Sequence, residues 1–148
     1  MENFLWILSL IGAFSIMEFL AWFTHKYIMH GFLWVLHKDH HKKDHKSRFE
    51  RNDTFFLFYA VVSMLFFISW SDYGFLYGLP IAIGIFLYGL TYFLVHDIFI
   101  HQRFKIFRNI DNKYARGIRR AHKIHHKKIN KEGGECFGML FVPKKYFK

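Results

Sequence analysis

Ten of the eleven histidines in this chain of 148 residues fall into four clusters. His25 and His30 are separated by four residues, and His37, His40 and His41 read H-x-x-H-H. Further on, His96 and His101 repeat the first spacing, and His122, His125 and His126 repeat the second. The pattern therefore occurs twice, and His45 is left over with no assigned role. Neutral imidazole is the commonest protein ligand for transition metals. A first-row ion takes about four to six ligands, so ten clustered histidines are too many for one ion and suit two. A lone histidine is more often a satisfied core or surface residue. Ten in a repeated pattern are not explained that way.

Spacing says how the rings can converge. On an α-helix, positions i, i+3 and i+4 share a face, so each H-x-x-H-H triplet can aim three imidazoles at one point. The two H-x4-H pairs cannot do so, because five residues at about 100° each leave the rings about 140° apart. Either the helix ends between them, which Gly31 just after His30 permits, or the two rings serve different metals. Carboxylates commonly hold ligating histidines from behind. Glu18, Asp53 and Asp97 are placed to do this. Each has another reading: Glu18 bonding within a helical bundle, and Asn52 or Asp53 capping the helix that follows. Spacing alone accepts iron or zinc.

The elements that must carry these ligands are apolar. Hydrophobic residues make up 53% of the chain and aromatics 22%, with 20 phenylalanines. That is too much apolar surface for a small soluble domain to bury. Three blocks have the length of a membrane span: Asn3 to Thr24, Thr54 to Trp70, and Tyr73 to Val95. Ser71 and Asp72 leave only a tight turn between the last two, predicting a helical hairpin. No Lys or Arg occurs in the first 24 residues, so the basic region of a cleavable signal peptide is missing and the first block is expected to stay as a span.

Residues 1–24 and 54–95 carry no Lys or Arg, residues 25–53 carry seven, and residues 96–148 carry fourteen, which accounts for all 21. With three spans both basic regions fall on one face, and the excess of positive charge makes that face cytoplasmic. The net charge of +10 thus reads as headgroup attraction at span ends and not as nucleic-acid binding. The single cysteine, Cys136, excludes an intramolecular disulfide. Phe107, Asp111, Tyr114, Ile118, His122 and His125 recur at helical spacing, predicting an interfacial amphipathic helix with its ligands inward. The expected fold is an all-α integral membrane protein: about three transmembrane helices with a cytoplasmic histidine-rich helical cap, in one domain over residues 1–148.

Several strings together resemble the bacterial β-carotene hydroxylases of the fatty acid hydroxylase and sterol desaturase superfamily. They are H-K-Y-I-M-H (His25 to His30), H-K-D-H-H (His37 to His41), F-E-x-N-D (Phe49 to Asp53), Y-F-L-V-H-D-x-x-x-H-Q-R (Tyr92 to Arg103) and A-H-K-I-H-H (Ala121 to His126). The resemblance runs from about Met17 to Pro143, including Lys131 to Gly133 and Phe137-Gly138. The histidine boxes are shared across the superfamily, and the flanking strings favour the carotenoid branch. Two departures stand out: Lys42 to Arg48 lacks the Pro and Gly expected there and adds His45, and Cys136 sits in G-E-C-F-G rather than C-x-S-F-G.

The resemblance implies a non-haem di-iron monooxygenase in the bacterial inner membrane, with all ten clustered histidines as metal ligands. It implies hydroxylation of β-carotene at C3 of each β-ionone ring, through β-cryptoxanthin to zeaxanthin, using O2 and two electrons. Such chemistry on an unactivated C–H bond needs an oxidising metal site shielded from water. No nucleotide-binding glycine motif is present, so the electrons are expected from another protein, and the resemblance implies a ferredoxin-type donor with its NAD(P)H-dependent reductase. The alternatives are a hydroxylase of a fatty acyl chain or sterol, or a non-enzymatic membrane metal-binding protein. The last is weakened because the middles of the spans hold no histidines to form a path.

Overall fold

The computed structural model describes residues 1–43 and 45–148; Asp44, within the Lys42 to Arg48 stretch, lies outside the described residues. Among the described residues, five α-helices follow one another: α1 (Glu2–Phe23), α2 (Trp34–His41), α3 (Asp53–Ser71), α4 (Gly78–Tyr92) and α5 (Lys113–His126). Two π-helical segments, Thr24–Phe32 and Phe93–Ile100, continue α1 and α4, and a short 3-10 turn covers Lys144–Phe147. No strand occurs among the described residues.

Among the described residues, three helices are long and apolar enough to cross a membrane: Glu2–Phe32, Asp53–Ser71 and Gly78–Ile100. Their outward faces carry Phe4, Ile7, Ile16, Leu57, Leu65 and Phe86, all more than half exposed, as a lipid-facing surface requires. At about 1.5 Å per residue, the 31 residues of the first span outrun a hydrocarbon core of about 30 Å. Its last turns, which carry His25 and His30, therefore reach past the apolar slab.

The α4 helix packs against both α1 and α3. Close approach to α1 depends on Gly84, where a Cβ would stand 2.5 Å from the Leu10 carbonyl oxygen and 2.8 Å from the Ala13 Cβ. Such small-residue contacts replace the hydrophobic drive that helices lack in lipid. A core of Met17, Ile85, Tyr88 and Met139 then ties α1, α4 and the C-terminal loop together. Within it, Tyr88 donates a hydrogen bond to Glu18 at 2.8 Å.

The third span begins later than the hydropathy pattern predicts, at Gly78 rather than Tyr73. Pro80 explains this, since it falls in the first turn, where its missing N–H is not needed. The turn between α3 and α4 is correspondingly longer than Ser71-Asp72. The interfacial helix also starts late, at Lys113, because Asn112 caps it by accepting from the Ala115 N–H at 2.8 Å. Ile118, His122 and His125 face inward as expected; Tyr114 is exposed, and Phe107 and Asp111 lie outside the helix. Arg116, Arg120, Lys123 and Lys127 form the outer stripe.

Candidate metal centre

Two rows of histidines meet where α1 and α4 leave the apolar slab and α3 enters it. The five-residue spacing is solved by helix pitch. Hydrogen bonds of the i→i+5 kind, Leu33 N–H to Ile28 at 3.0 Å and His101 N–H to His96 at 2.9 Å, wind both segments as π-helix, which brings residues five apart onto nearly one face. The His25 and His30 rings consequently lie 5.4 Å apart. The helix does not end between them; the break comes just after, at Gly31 (φ −101°, ψ −126°), where the chain turns into α2.

Nine of the ten clustered histidines converge in two groups, in each of which the ligand nitrogens lie within 4.8 Å of one another. The first is His25, His30, His37, His41 and His125; the second is His40, His101, His122 and His126. In each H-x-x-H-H triplet the outer two histidines stay with their own repeat, and the middle one, His40 or His125, enters the other group. His96 stands beside the second group, its ring 4.5 Å from His101 and 4.8 Å from His122. Its Nδ1 turns to Asp97 at 3.0 Å. His45 is apart from both groups, with Nε2 3.4 Å from Asp39.

The hydrogen bonds behind the first group assign its tautomers. Nδ1–H of His25 donates to the Phe137 carbonyl at 3.0 Å, His30 to Lys131 at 3.0 Å, His41 to Lys128 at 2.8 Å and His125 to Glu135 at 3.0 Å. His37 donates to the Asn52 side-chain oxygen at 2.7 Å. A neutral ring that donates from Nδ1 has only a lone pair on Nε2. Yet Nε2 of His25 and His37, of His30 and His41, and of His37 and His41 stand 3.1 Å apart. These contacts have no proton to share. They match the separation of about 3 Å between neighbouring nitrogens at about 2.1 Å from one ion. In the second group, Nε2 of His101 and His122 are 2.7 Å apart, and the buried Nε2 atoms of His40 and His126 have no hydrogen-bond partner; the same holds for the Nε2 of His125 in the first group. Buried polar atoms left this way need an explanation, and a cation in each group supplies one.

Burial also keeps the rings unprotonated. It is the main cause that pulls His37 and His126 down to about 2, His125 to about 3, and His41 and His101 to about 4, with neighbouring charges adding to the shift. His40 and His122 are likewise held well below the ordinary value by burial and by the surrounding histidines. At neutral pH the cluster offers lone pairs with no proton to displace.

The carboxylates divide. Asp97 meets His96 directly. Asp53 accepts from Arg103 at 2.9 Å and from the Glu50 N–H at 3.0 Å, and so reaches the histidines through them. Glu18 serves the bundle: one oxygen accepts from the N–H groups of Met139, Leu140 and Phe141 at 3.2, 2.9 and 3.1 Å, and the other from Tyr88. It thereby pins the loop that lends the Phe137 carbonyl to His25. Glu50 and Arg103 lie within the strings that carry the resemblance, and no spacing rule marks them as partners of the histidines. Glu50 bonds the His40 Nδ1 at 2.8 Å. Asn52 turns its side chain to His37 instead of capping α3.

An apolar cavity of about 490 Å³ opens beneath the histidines. All three spans line it, with Met17, Ala21, Phe55, Tyr59, Ile85 and Phe93 among its walls, and His25, His96 and His122 reach it from above.

Comparison with known proteins bears on what this arrangement is. The fatty acid hydroxylase family model matches residues 10–143. The chain belongs to the fatty acid hydroxylase family. Among curated relatives of this family member, the "Beta-carotene hydroxylase" of a Paracoccus species is 38% identical over 146 residues, covering 97% of this chain and 86% of the relative. That of Pantoea ananas is 40% identical over 143 residues, covering 94% and 80%. The "Beta-carotene 3-hydroxylase 2, chloroplastic" of Arabidopsis thaliana is 32% identical, with 93% of this chain matching 48% of the plant protein. No solved structure matches this hydroxylase-family chain.

Proposed function

We propose that this protein hydroxylates the β-ionone rings of β-carotene at C3, giving β-cryptoxanthin and then zeaxanthin, by O2-dependent chemistry at a non-haem di-iron centre. The observation that carries this reading is the apolar cavity among the three spans that ends on His25, His96 and His122, in a chain whose curated relatives are named β-carotene hydroxylases. One iron would be held by His25, His30, His37, His41 and His125, and the other by His40, His101, His122 and His126, with His96 beside it. When bound, the pair supplies the activation of O2 that no side chain provides.

What the chain itself contributes is positioning and exclusion of water. Per ring, the balance is one C–H bond, O2, two electrons and two protons giving one C–OH and one water. The cavity walls accept a ring mainly by apolar contact, and Leu57, Phe86 and Leu90 in its lining also face lipid. A ring end can thus enter from the bilayer while the polyene stays in it, with the reacting carbon facing the histidines and bulk water kept out. The main-chain carbonyls and Asn52 keep the first group's Nε2 atoms turned inward throughout.

Electrons would arrive from a ferredoxin-type protein reduced by an NAD(P)H-dependent reductase. The exposed stripe Arg116, Arg120, Lys123 and Lys127 lies on the helix that carries three of the histidines. It is complementary to an acidic donor. The enzyme is placed in the bacterial inner membrane as one domain, with the histidines and C-terminus cytoplasmic. The family's description favours a second substrate, a fatty acyl chain, for the same cavity. Isotope labelling tests the chemistry: the new hydroxyl should carry oxygen from ¹⁸O2 and none from labelled water. Label arriving from water would refute O2-dependent hydroxylation.

A further inference from the structure

The two histidine groups are braced by different chemistry. Every ring of the first group rests its Nδ1 on an uncharged oxygen: four main-chain carbonyls and the Asn52 side chain. Next to the second group the braces are carboxylates. Glu50 bonds His40 at 2.8 Å, and Asp97 bonds His96 at 3.0 Å. These carboxylates come from different stretches of chain, Glu50 from the loop before α3 and Asp97 from the π-helical end of the third span, and one side chain joins them. Arg103 donates to Glu50 at 2.7 Å and to Asp53 at 2.9 Å, and its Nε lies 3.5 Å from Asp97. The same Glu50 oxygen that accepts from Arg103 accepts from His40.

We propose that Arg103 is the positioning residue of the second metal group alone, acting through Glu50 on His40, and that its loss releases one metal ion while the other stays. His40 is the one second-group histidine supplied by the first repeat, so it depends on a tie across the two halves that the other three do not need. Three carboxylates meet one guanidinium here, a local charge of −3 + 1 = −2 with all of them ionised. Without Arg103 the carboxylates repel one another, Glu50 leaves His40, and the group keeps three histidines. Among the described residues, no ring of the first group bonds to Glu50, Asp53, Asp97 or Arg103. Asn52 is its counterpart, bonded to His37. Losing a group that braces a ligand typically costs about 10–100-fold in metal affinity.

The inference rests on the two-metal reading, and a titration separates the two. Metal-free full-length protein in detergent is titrated with cobalt(II), reading bound metal and its visible spectrum. Unsubstituted protein is expected to bind two equivalents. Arg103→Gln should keep one tight equivalent and weaken the other at least ten-fold, and Arg103→Lys, which keeps the charge but bridges fewer oxygens, should fall between. Glu50→Gln, gentler on folding, should reproduce the loss. Adding His30→Ala to Arg103→Gln should remove the remaining ion, whereas adding His126→Ala should leave it. Asn52→Ala should instead weaken the ion that His30→Ala removes. If Arg103→Gln and Glu50→Gln both bind two ions with unchanged affinity, or lose both ions together with helicity intact, the assignment is overturned. Fewer than two equivalents in the unsubstituted protein would overturn the two-metal reading itself, and this assignment with it.

Discussion

His40 and His125 hold corresponding places in the two H-x-x-H-H triplets, and each turns into the histidine group that the other repeat builds. His125 stands 4.7 Å from His41, and His40 stands 4.4 Å from His101, ring centre to ring centre. Neither half of the chain can complete a group alone, so the halves must fold against each other before either metal position exists.

Removal of a group member should therefore be far more damaging than removal of a neighbour. His37→Ala, His40→Ala, His122→Ala and His125→Ala are each expected to abolish turnover, because each opens a coordination position. His45→Ala should keep at least half the activity, since His45 lies apart from both histidine groups, with its Nε2 3.4 Å from the Asp39 carboxylate. Product formation in membranes with matched protein levels checks this. Wild-type turnover in any of the first four removes that residue from the ligand set.

Glu18 acts on stability. Its carboxylate satisfies three consecutive N–H groups of the C-terminal loop, of which that of Met139 is buried and that of Leu140 partly so. Glu18→Ala leaves them without an acceptor at a cost on the order of 3 kcal/mol, and loosens the loop that holds His25. Glu18→Gln, which can still accept on one oxygen, should cost much less. Thermal unfolding in detergent reads the difference; equal midpoints for the two variants would show that the loop is held otherwise.

Much of this was legible in the residues. Apolar runs without Lys or Arg marked the three spans, and the repeated clusters marked the centre. The π pitch was not legible, because apolar spacing does not distinguish i→i+4 from i→i+5 hydrogen bonding when a helix is apolar all round. Nor was the crossing of His40 and His125, which depends on how α2 and α5 face each other. Glu18 illustrates the same limit. Its distance of two turns from His25 pointed to the histidines, but the partners that claim it are Tyr88 on the third span and, more than a hundred residues later in the chain, the N–H groups of the C-terminal loop. The late start of α4 was available in Pro80 and hidden by the hydropathy of Tyr73 to Tyr77.

Acid should destabilise the metal-free protein. His37, His41, His101, His125 and His126 are held between about 2 and about 4 in the folded chain against 6.5 when free. Below pH 6.5 the unfolded chain takes up protons that the folded one refuses. Stability is therefore full above that value and falls as the pH drops toward 4. Unfolding midpoints of metal-free protein between pH 8 and 4 check the slope. A flat profile across that range would mean the cluster is open to water.

Topology can be read directly. Both basic regions lie at the end of the spans that carries the histidines, and the turn between α3 and α4 lies at the other. Reporter fusions after Arg48 and after Lys148 should both read cytoplasmic, and one within Ser71 to Gly74 should read external. Opposite readings for the first two would separate the ligands across the bilayer and end the account.

The most direct test is pigment analysis of a β-carotene-accumulating host that expresses this chain together with a ferredoxin reductase system. The account predicts that β-carotene is replaced by two more polar carotenoids, one with a single hydroxyl and one with a hydroxyl at C3 of each ring. Unchanged β-carotene, in cells whose membranes contain the protein loaded with two iron ions, would contradict it.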